Sequence, residues 1–352
     1  MVVETRILGL GTSVPTESYS QHEVLDRLGL TDPRVRALFL KSGIERRNLI
    51  IPPPRPDGRA SAETQGKLLA KHKEFAVRLA KESLMECMAS IGAAASDVGH
   101  LCCVTSTGLL TPGLSALLVR ELSLNRHCSR LDIVGMGCNA GLNGLNSTAA
   151  WSRSNPKDLA LMVCTEICSA AYVSDDTMRS GVVNSLFGDG AAAVAVSSAV
   201  SQDRLDSPAL VRFSSYIVPE SMDAMRFDWD DAHGKFSFFL DRSVPYVIGA
   251  HVEAALKNLL AETGLCRNDI AHWIVHAGGK KVIDSVRVNL RLTKSELRNS
   301  TKVLKQHGNL SSGSFLFSLN ELNMEHRVQA GDFGVIMTMG PGATIEMSLI
   351  RW

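Results

Sequence analysis

Three loops built from small residues carry side chains that could perform acyl-transfer chemistry. Cys138 lies in GMGCNAG, His276 opens HAGG, and Asn309 lies in GNLSSG. A thiol at a turn before a helix can hold an acyl group, and the helix N-terminus and a nearby protonated His would lower its pKa towards neutrality. A His and an Asn converging on one oxygen would supply two hydrogen-bond donors where negative charge develops. The pattern predicts acyl-thioester chemistry through an enolate.

The eight cysteines of the chain also have a simpler explanation. A free cysteine is more often a small buried hydrophobe than a nucleophile, so only its context singles out Cys138. Six other cysteines lack such a context, and we expect them to pack in the core: Cys87, Cys102, Cys103, Cys128, Cys164 and Cys266.

Composition and charge argue against several classes of function. The chain has 352 residues, of which 45% are hydrophobic and 21% charged, as in ordinary globular proteins. Its net charge of +1 argues against a nucleic-acid partner. No Cys/His cluster has zinc-ligand spacing, and no apolar run reaches the ~20 residues of a membrane span. The N-terminal stretch lacks the basic start of a signal peptide. We therefore expect a cytoplasmic protein with reduced thiols and no metal.

An internal duplication predicts the architecture. Residues 96–106 (SDVGHLCCVTS) and 268–278 (NDIAHWIVHAG) share an Asp, a His and an apolar run, and residues 185–197 and 337–349 share a GxGA core. The first pair of segments is 172 positions apart, and Cys138 and Asn309 are separated by 171 positions. We therefore expect these two residues in equivalent turns of the two halves.

Each half alternates strand-like and helical patterns. Residues 159–167 and 334–340 are typical of buried strands, whereas residues 73–92 have helical periodicity. This alternation favours an α/β fold with helices covering the sheets. Residues 219–235 are acidic and irregular, and we expect them to form an insertion at the surface.

The motifs together resemble the type III polyketide synthases, the chalcone synthase-like branch of the thiolase superfamily. The resemblance rests on FGDGAAA at 187–193, HAGGKKVID at 276–284, GNLSSGSFLF at 308–317 and GPGATIE at 340–346, and it spans essentially the whole chain. It implies a thiolase fold with five αβαβα layers, an N-terminal half over 1–210 and a C-terminal half over 211–352. It also implies malonyl-CoA as substrate, no cofactor, and a homodimer in which GLSALLVREL is partly interfacial.

The resemblance assigns roles to the three motif residues. Cys138 would accept the acyl group, His276 would act as its base, and His276 with Asn309 would form the oxyanion hole for the malonyl thioester. The alternatives are a core histidine for His276 and a turn residue for Asn309.

Further positions follow from the same resemblance. Phe187 and Phe238 would be the gate between a CoA tunnel and the cavity. Cys168 and Ala171 stand where chalcone synthases have threonines, which implies a differently shaped cavity. No cation is evident near these positions, so neutral donors such as Thr107 and Ser311 would have to recognise the starter, and we expect loose starter selection.

Basic residues on two segments would meet the CoA phosphates. The alternative is a solvated basic surface. The candidates are Arg34, Arg36, Lys41, Lys280 and Lys281.

Several outcomes remain open at this level. The product could be an arylacetyl thioester, another resorcinol, a pyrone or a naphthol, and a thiolase-fold binding subunit without condensing activity is a further alternative. For an arylacetyl product, enoyl-CoA hydratase-like enzymes are the expected functional partners.

Overall fold

The computed structural model of the chain describes residues 4–53, 61, 63–199 and 207–352. The β-strands are β1 (Arg6–Ser13), β2 (Ser18–Ser20), β3 (Arg46–Asn48), β4 (Val98–Thr105), β5 (Ser129–Val134), β6 (Leu159–Ile167), β7 (Asp189–Ser197), β8 (Ala209–Ile217), β9 (Met225–Asp230), β10 (Lys235–Leu240), β11 (Ile270–Val275), β12 (Phe333–Gly340) and β13 (Thr344–Arg351). The α-helices are α1 (Gln21–Leu28), α2 (Pro33–Leu40), α3 (Gln65–Ile91), α4 (Leu114–Glu121), α5 (Ala140–Ser154), α6 (Met178–Leu186), α7 (Val244–Leu260), α8 (Lys280–Asn289), α9 (Arg298–His307) and α10 (Ser314–Met324).

The main sheet consists of two matching sets of strands. Its order is β11-β12-β13-β8-β1-β7-β6-β4-β5. In the first set β4 pairs parallel with β6, and then β6 with β7 and β7 with β1 pair antiparallel. In the second set β11 pairs parallel with β12, and then β12 with β13 and β13 with β8 pair antiparallel. The order of parallel and antiparallel pairs is the same in both sets. The two sets meet where β1 pairs with β8 at Arg6 and Ala209. The strand pairing therefore confirms the duplication.

The helices complete five layers. The long helix α3 packs on β1, β6 and β7, and α7 packs on β8 and β13, so these two helices cover the outer faces. Between the two sets of strands, α5 contacts β4, β6 and β7 as well as β12 and β13, and α10 contacts β1 and β7 as well as β11 and β12. Because both faces of the sheet are covered, β6 and β7 are apolar along almost their whole length, as in buried sheets. The predicted αβαβα arrangement is confirmed.

Local signals explain where α3 begins and ends. The side chain of Thr64 accepts a hydrogen bond from the backbone N–H of Lys67 and caps the first turn. At the other end Gly92 adopts a left-handed conformation with φ of 66°, which favours glycine. The helix predicted over 73–92 is therefore correct in type, but it begins earlier, at Gln65.

The duplicated sequence segments have the same local structure. Each strand of the pair β4 and β11 follows a short 3-10 turn in which an aspartate caps the chain: Asp97 accepts from the N–H of Ala94, and Asp269 accepts from the N–H of Cys266. The position of Cys266 in this turn leaves it exposed, so its predicted core packing is wrong.

The acidic segment 219–235 lies mostly at the surface, as expected, but it is not irregular. It forms a short 3-10 turn over Pro219–Ala224, strand β9 and the beginning of β10, and the two strands pair antiparallel. Apolar residues alternate with polar ones in β9 and pair with Phe236, Phe238 and Leu240 of β10, so one face of this hairpin is apolar. Met225, Phe227 and Phe238 on this face line the cavity in front of Cys138, whereas Trp229 and Phe236 are half-exposed. The acidic residues of the segment concealed this apolar face in the sequence.

Two other observations concern the described part of the chain. No helix there is long and apolar enough to cross a membrane. Among the same residues, no cluster of three or more His, Cys, Asp or Glu side chains could hold a metal ion. The boundary between halves at residues 210 and 211 remains a prediction.

Candidate active site

Cys138 lies in a 3-10 turn, Gly137–Asn139, directly before α5. The turn needs glycine at position 137, because φ is +68° there and a Cβ atom would lie 2.4 Å from Pro341 Cδ. The GPG loop thus packs against the nucleophile turn from the opposite half. The thiol is 7% exposed and points into the cavity described below.

The thiol is hydrogen-bonded to a buried serine. Cys138 Sγ lies 3.6 Å from Ser311 Oγ, and Ser311 Oγ lies 3.2 Å from Glu166 Oε1. Glu166 is fully buried and also accepts from Ser312 Oγ at 2.6 Å and from the N–H of Ser106 at 2.9 Å. A short chain of hydrogen bonds therefore connects the candidate nucleophile to a buried carboxyl group.

Burial acts on the Cys138 thiol against the sequence-based expectation. It raises the pKa of the thiol to about 12, and the charge of Glu166 raises it further, while the hydrogen bonds with Ser311 and Asn309 oppose the change. Burial also lowers the pKa of His276 to about 3. Burial therefore acts against the predicted thiolate near neutrality, because low polarity disfavours both charged forms.

Asn309 lies beside the thiol. Its Nδ2 donates to the carbonyl of Gly278 at 3.2 Å, and its Oδ1 accepts from the N–H of Ser311 at 2.8 Å. These contacts fix the amide plane. Asn309 lies five positions before the start of α10, whereas Cys138 lies two before the start of α5, so the two residues share equivalent turns without being equivalent positions.

His276 follows β11 and is linked to Asn309 through Gly278. Its N–H donates to the carbonyl of Met337 in β12 at 2.8 Å, and the residue is 2% exposed. A Cβ atom on Gly278 would lie 3.1 Å from His276 Nε2, so glycine is needed where the imidazole meets the loop. Nδ1 has no hydrogen-bond partner among the described residues. The neutral ring can accept a proton or donate one, as an oxyanion hole and a base require.

A cavity of about 360 Å³ opens in front of Cys138. Its volume is within the range of small-molecule sites. All the cavity positions predicted from the sequence line it together with the thiol: Thr107, Cys168, Ala171, Phe187, Phe238 and Ser311.

The two predicted gate residues contact each other. The rings of Phe187 and Phe238 are 5.8 Å apart and nearly perpendicular, an edge-to-face arrangement that aromatic pairs prefer. Phe227 packs on Phe238 from the hairpin at 5.0 Å. The cavity entrance is therefore bordered by aromatic rings from both halves.

Sequence reasoning missed several residues of the site. Glu166 is the second-last residue of the mostly apolar strand β6. An acidic residue near the end of a buried strand is a signal that could have identified it as a site residue. Met225 and Phe227 of the hairpin line the cavity, as does Arg226. The guanidinium of Arg226 is bonded to Asp228 and to a backbone carbonyl and lies over the ring of Phe239, so it is already engaged.

The candidate CoA residues fall into two groups. Arg34 is hydrogen-bonded to Asp32 at the start of α2, and Arg36 donates to the carbonyl of Leu30. Lys41 and Lys280 are exposed, and a Cβ atom on Gly43 would lie 3.3 Å from Lys280 Cδ, which places the segment of Lys41 against the first turn of α8.

The start of α8 also lies next to the gate. A Cβ atom on Gly279 would lie 3.7 Å from Leu186, the residue before Phe187. Lys281, on the same helix turn, is exposed. A basic rim formed by Lys41, Lys280 and Lys281 thus borders the gate. Lys280 Nζ lies 3.5 Å from Asp284 on the same helix but stays exposed, while Arg34 and Arg36 have partners within their own segment.

The chemistry that fits this pocket is acyl transfer to Cys138 followed by carbon–carbon bond formation away from bulk water. The duplicated five-layered fold with the thiol before one inner helix and the amide before the other defines a condensing enzyme of the thiolase type.

Comparison with known proteins agrees with this class. Residues 57–200 match the N-terminal domain and residues 210–352 the C-terminal domain of the chalcone and stilbene synthases. The chain is 57% identical over 350 residues to a 3,5-dihydroxyphenylacetyl-CoA synthase of Streptomyces toyocaensis, which covers 99% of this chain and 90% of that protein. It is 58% identical over 348 residues to the enzyme of the same name from Amycolatopsis balhimycina, with coverage of 99% and 93%.

A solved structure shows the same fold. The bacterial type III polyketide synthase 1,3,6,8-tetrahydroxynaphthalene synthase from Streptomyces coelicolor A3(2) superposes with a TM-score of 0.89 at 27% identity, covering 99% of each chain. The chain belongs to the chalcone and stilbene synthase family, the type III polyketide synthases, and is an acyl-transferring enzyme.

Proposed function

We propose that the chain condenses malonyl-CoA by decarboxylative Claisen steps on Cys138 and forms 3,5-dihydroxyphenylacetyl-CoA. The observation that carries this proposal is the 57% identity, over 99% of the chain, to a synthase of that product. The cavity supports it, because the cavity positions that the sequence singled out line the same cavity as the thiol.

The chemical steps use the residues of the pocket. Cys138 passes its proton to His276 and attacks the thioester carbonyl, so a carbon–sulfur bond forms and CoA leaves as a thiolate that takes up a proton. A second malonyl-CoA loses CO2, and the electron pair of the broken bond becomes an enolate that His276 and Asn309 stabilise. The enolate attacks the acyl-Cys carbonyl, which forms a carbon–carbon bond and frees the Cys138 thiolate.

The proton transfer explains why the neutral resting state does not prevent reaction. Burial penalises an isolated thiolate and an isolated imidazolium, but transfer between the two groups creates opposite charges together. The hydrogen bonds of the sulfur with Ser311 and Asn309 favour its charged form. The thiolate is therefore formed when needed and is not stored at neutral pH.

The carbon count fits malonyl-CoA as both starter and extender. An eight-carbon arylacetyl group contains four two-carbon units, and each malonyl group leaves one such unit after losing CO2. The replacement of larger side chains by Cys168 and Ala171 leaves space beside the thiol for a chain that must fold back on itself to close a ring.

The other functions are less favoured. The naphthol-forming relative of known structure is 27% identical, against 57% for the arylacetyl-CoA synthase. A subunit without condensing activity would not need Cys138, Asn309 and the Gly278 loop in mutual hydrogen-bonding positions.

The proposal includes a homodimer. Most of the apolar run in α4 is not available to an interface, because Leu114, Leu117 and Leu118 are covered by the protein's own core. Exposed apolar side chains lie instead on the loop before α4, at the end of the edge strand β5 and just after it. They are Leu109, Val134 and Met136, which are 72%, 45% and 39% exposed. An exposed edge strand with apolar neighbours favours pairing with a second copy.

Partners and location complete the proposal. Enoyl-CoA hydratase-like enzymes that act on the same thioester would be functional partners, in a route to the dihydroxyphenylglycine units of glycopeptide antibiotics. Reduced cysteines and a CoA substrate are compatible with the cytoplasm.

The experiment is incubation of the purified protein with malonyl-CoA alone, with the products identified by mass spectrometry. An arylacetyl thioester supports the proposal, a pyrone or naphthol assigns another product, and a lack of any product favours the non-condensing alternative.

A further inference from the structure

Arg47, in β3, has the largest fully buried side chain of the described chain. Its guanidinium donates to Phe187 O at 2.6 Å, to Tyr172 Oη at 3.0 Å and to Gln21 Oε1 at 2.8 Å. All three acceptors are neutral, and no carboxylate among the described residues forms an ion pair with it. A buried cation without a direct counter-charge is costly, so its position requires an explanation.

The first acceptor is the backbone of the gate. The carbonyl of Phe187 accepts from Arg47 and also from the hydroxyl of Tyr172 at 2.6 Å. Because Arg47 also donates to the same hydroxyl, the three groups form a closed triangle of hydrogen bonds. The triangle fixes the peptide from which the Phe187 ring projects towards Phe238.

The methylene part of Arg47 contacts the segment that carries the oxyanion-hole amide. A Cβ atom on Gly308 would lie 2.7 Å from Arg47 Cδ. The next residue, Asn309, donates from its N–H to Leu186 O at 2.8 Å and accepts at its carbonyl from the N–H of Gly188 at 3.0 Å. The backbone on either side of Phe187 is therefore bonded to Asn309, and Arg47 holds both segments.

We propose that Arg47 is a positioning residue that sets the gate ring of Phe187 and the amide of Asn309 in one fixed relationship. The planar guanidinium is suited to this role because it can reach several acceptors at fixed angles, whereas an ammonium is a point charge. A shift of about 1 Å in such a group can cost on the order of 100-fold in rate. Arg47 is not among the residues that line the cavity, so its effect should fall on the condensation step.

The test compares Arg47→Lys and Tyr172→Phe with the unchanged protein. We expect Arg47→Lys to lower kcat for polyketide formation by ~10-fold or more with KM for malonyl-CoA nearly unchanged. The ratio of CO2 released to polyketide formed should rise, because an enolate that is not aligned with the acyl-Cys carbonyl is protonated instead. Tyr172→Phe removes one of the two donors to the Phe187 carbonyl and should change the same ratio in the same direction, by a smaller factor.

A core variant in the other half supplies the control. Leu256→Ala removes buried volume from α7 and should lower stability without changing the ratio of CO2 to product. If Arg47→Lys keeps the normal kcat and the normal ratio of CO2 to product, the positioning role is wrong. It is also wrong if a Leu256→Ala protein as stable as Arg47→Lys changes kcat and this ratio by as much. If Arg47→Lys does not fold, Tyr172→Phe decides by the same ratio.

The inference rests on the proposed condensation, and the two can fail separately. An unchanged protein that makes no polyketide from malonyl-CoA would overturn the proposed function. An active protein whose Arg47 and Tyr172 variants behave normally would overturn only the role of Arg47.

Discussion

The Sγ atom of Cys138 lies 3.6 Å from Ser311 Oγ, and that hydroxyl lies 3.2 Å from the buried carboxyl of Glu166. The thiol of Cys138 donates to Ser311, which donates in turn to Glu166. The serine and the carboxylate affect the thiol in opposite ways, because the hydrogen bond between the sulfur and Ser311 lowers the pKa of Cys138 and the charge of Glu166 raises it. The reactivity of the nucleophile therefore depends on two neighbours that sequence reasoning treated as a cavity donor and as part of a strand.

Replacing the two neighbours should change thiol reactivity in opposite directions. Glu166→Gln removes a negative charge, lowers the pKa of Cys138 and should speed its alkylation by iodoacetamide. Ser311→Ala removes the hydrogen bond with the sulfur, raises that pKa and should slow alkylation. We expect changes of about threefold or more, since half a pKa unit changes the thiolate fraction by about threefold.

Alkylation can be followed for each cysteine separately by peptide mass spectrometry. Cys266, which is exposed, serves as the internal control and should react at the same rate in all variants. If Cys138 is alkylated at the same rate in Glu166→Gln and in the unchanged protein, the Glu166 carboxyl group is already neutral. That result would contradict the claim that its charge raises the pKa of the thiol.

The basic rim should act on CoA binding alone. Lys280→Glu and Lys41→Glu place a negative charge where phosphates would approach, and we expect KM for malonyl-CoA to rise ~10-fold with little change in kcat. The effect should shrink as salt is added, because exposed charges are screened. Steady-state kinetics at two ionic strengths measure both.

The matched control is Lys157→Glu. Lys157 is exposed and precedes β6, at the end of that strand opposite the cavity, so its substitution should leave KM unchanged. A similar rise in KM for Lys157→Glu would mean that net charge and not a phosphate site is responsible.

Much of this arrangement could be predicted from the sequence, for identifiable reasons. The buried strands β6 and β12 appear as continuous apolar runs, and the duplication at Asp97 and Asp269 repeats a capping turn. Cys138 and Asn309 lie in turns whose glycines are required by positive φ or by close packing, and such glycines are visible as motifs.

The remainder depends on three-dimensional contacts that no local pattern contains. The hairpin of β9 and β10 has a polar, acidic face, and these acidic residues led to the prediction of an irregular segment over 219–235. Its other face carries Phe227 and Phe238. Burial reverses the expected pKa shift of Cys138, and burial is a property of the folded pocket. Arg47 gave no signal, because its acceptors are distant in the sequence and include a backbone carbonyl.

Starter selection should be loose. Among the described cavity-lining residues the one cation is Arg226, and its guanidinium is bonded elsewhere, so no free charge is available to hold the carboxylate of a malonyl starter. We expect acetyl-CoA and hexanoyl-CoA to replace malonyl-CoA at the first step, while extension still needs malonyl-CoA. Competition at equal concentrations, with products identified by mass, measures this. Exclusive incorporation of malonyl units would reveal a determinant of selectivity that these contacts do not explain.

The protein should be a homodimer in solution. Analytical ultracentrifugation should give twice the mass of the 38.0 kDa chain, and Val134→Lys with Met136→Lys should shift the population towards monomer by placing charge on the exposed apolar surface. The matched control is Val211→Lys on β8, which is also exposed but lies away from β5 and should leave the mass unchanged. A monomer at every concentration would refute the proposed interface.

The central claim is that Cys138 carries a chain built from malonyl-CoA alone that closes to an eight-carbon arylacetyl thioester. The most direct measurement supplies uniformly ¹³C-labelled malonyl-CoA as the only acyl donor, and compares the unchanged protein with Cys138→Ala. We predict a fully labelled 3,5-dihydroxyphenylacetyl product from the first, and from the second only slow release of labelled CO2 without polyketide, since His276 and Asn309 remain. Polyketide formation by Cys138→Ala, or a fully labelled product of another carbon skeleton from the unchanged protein, would contradict the account.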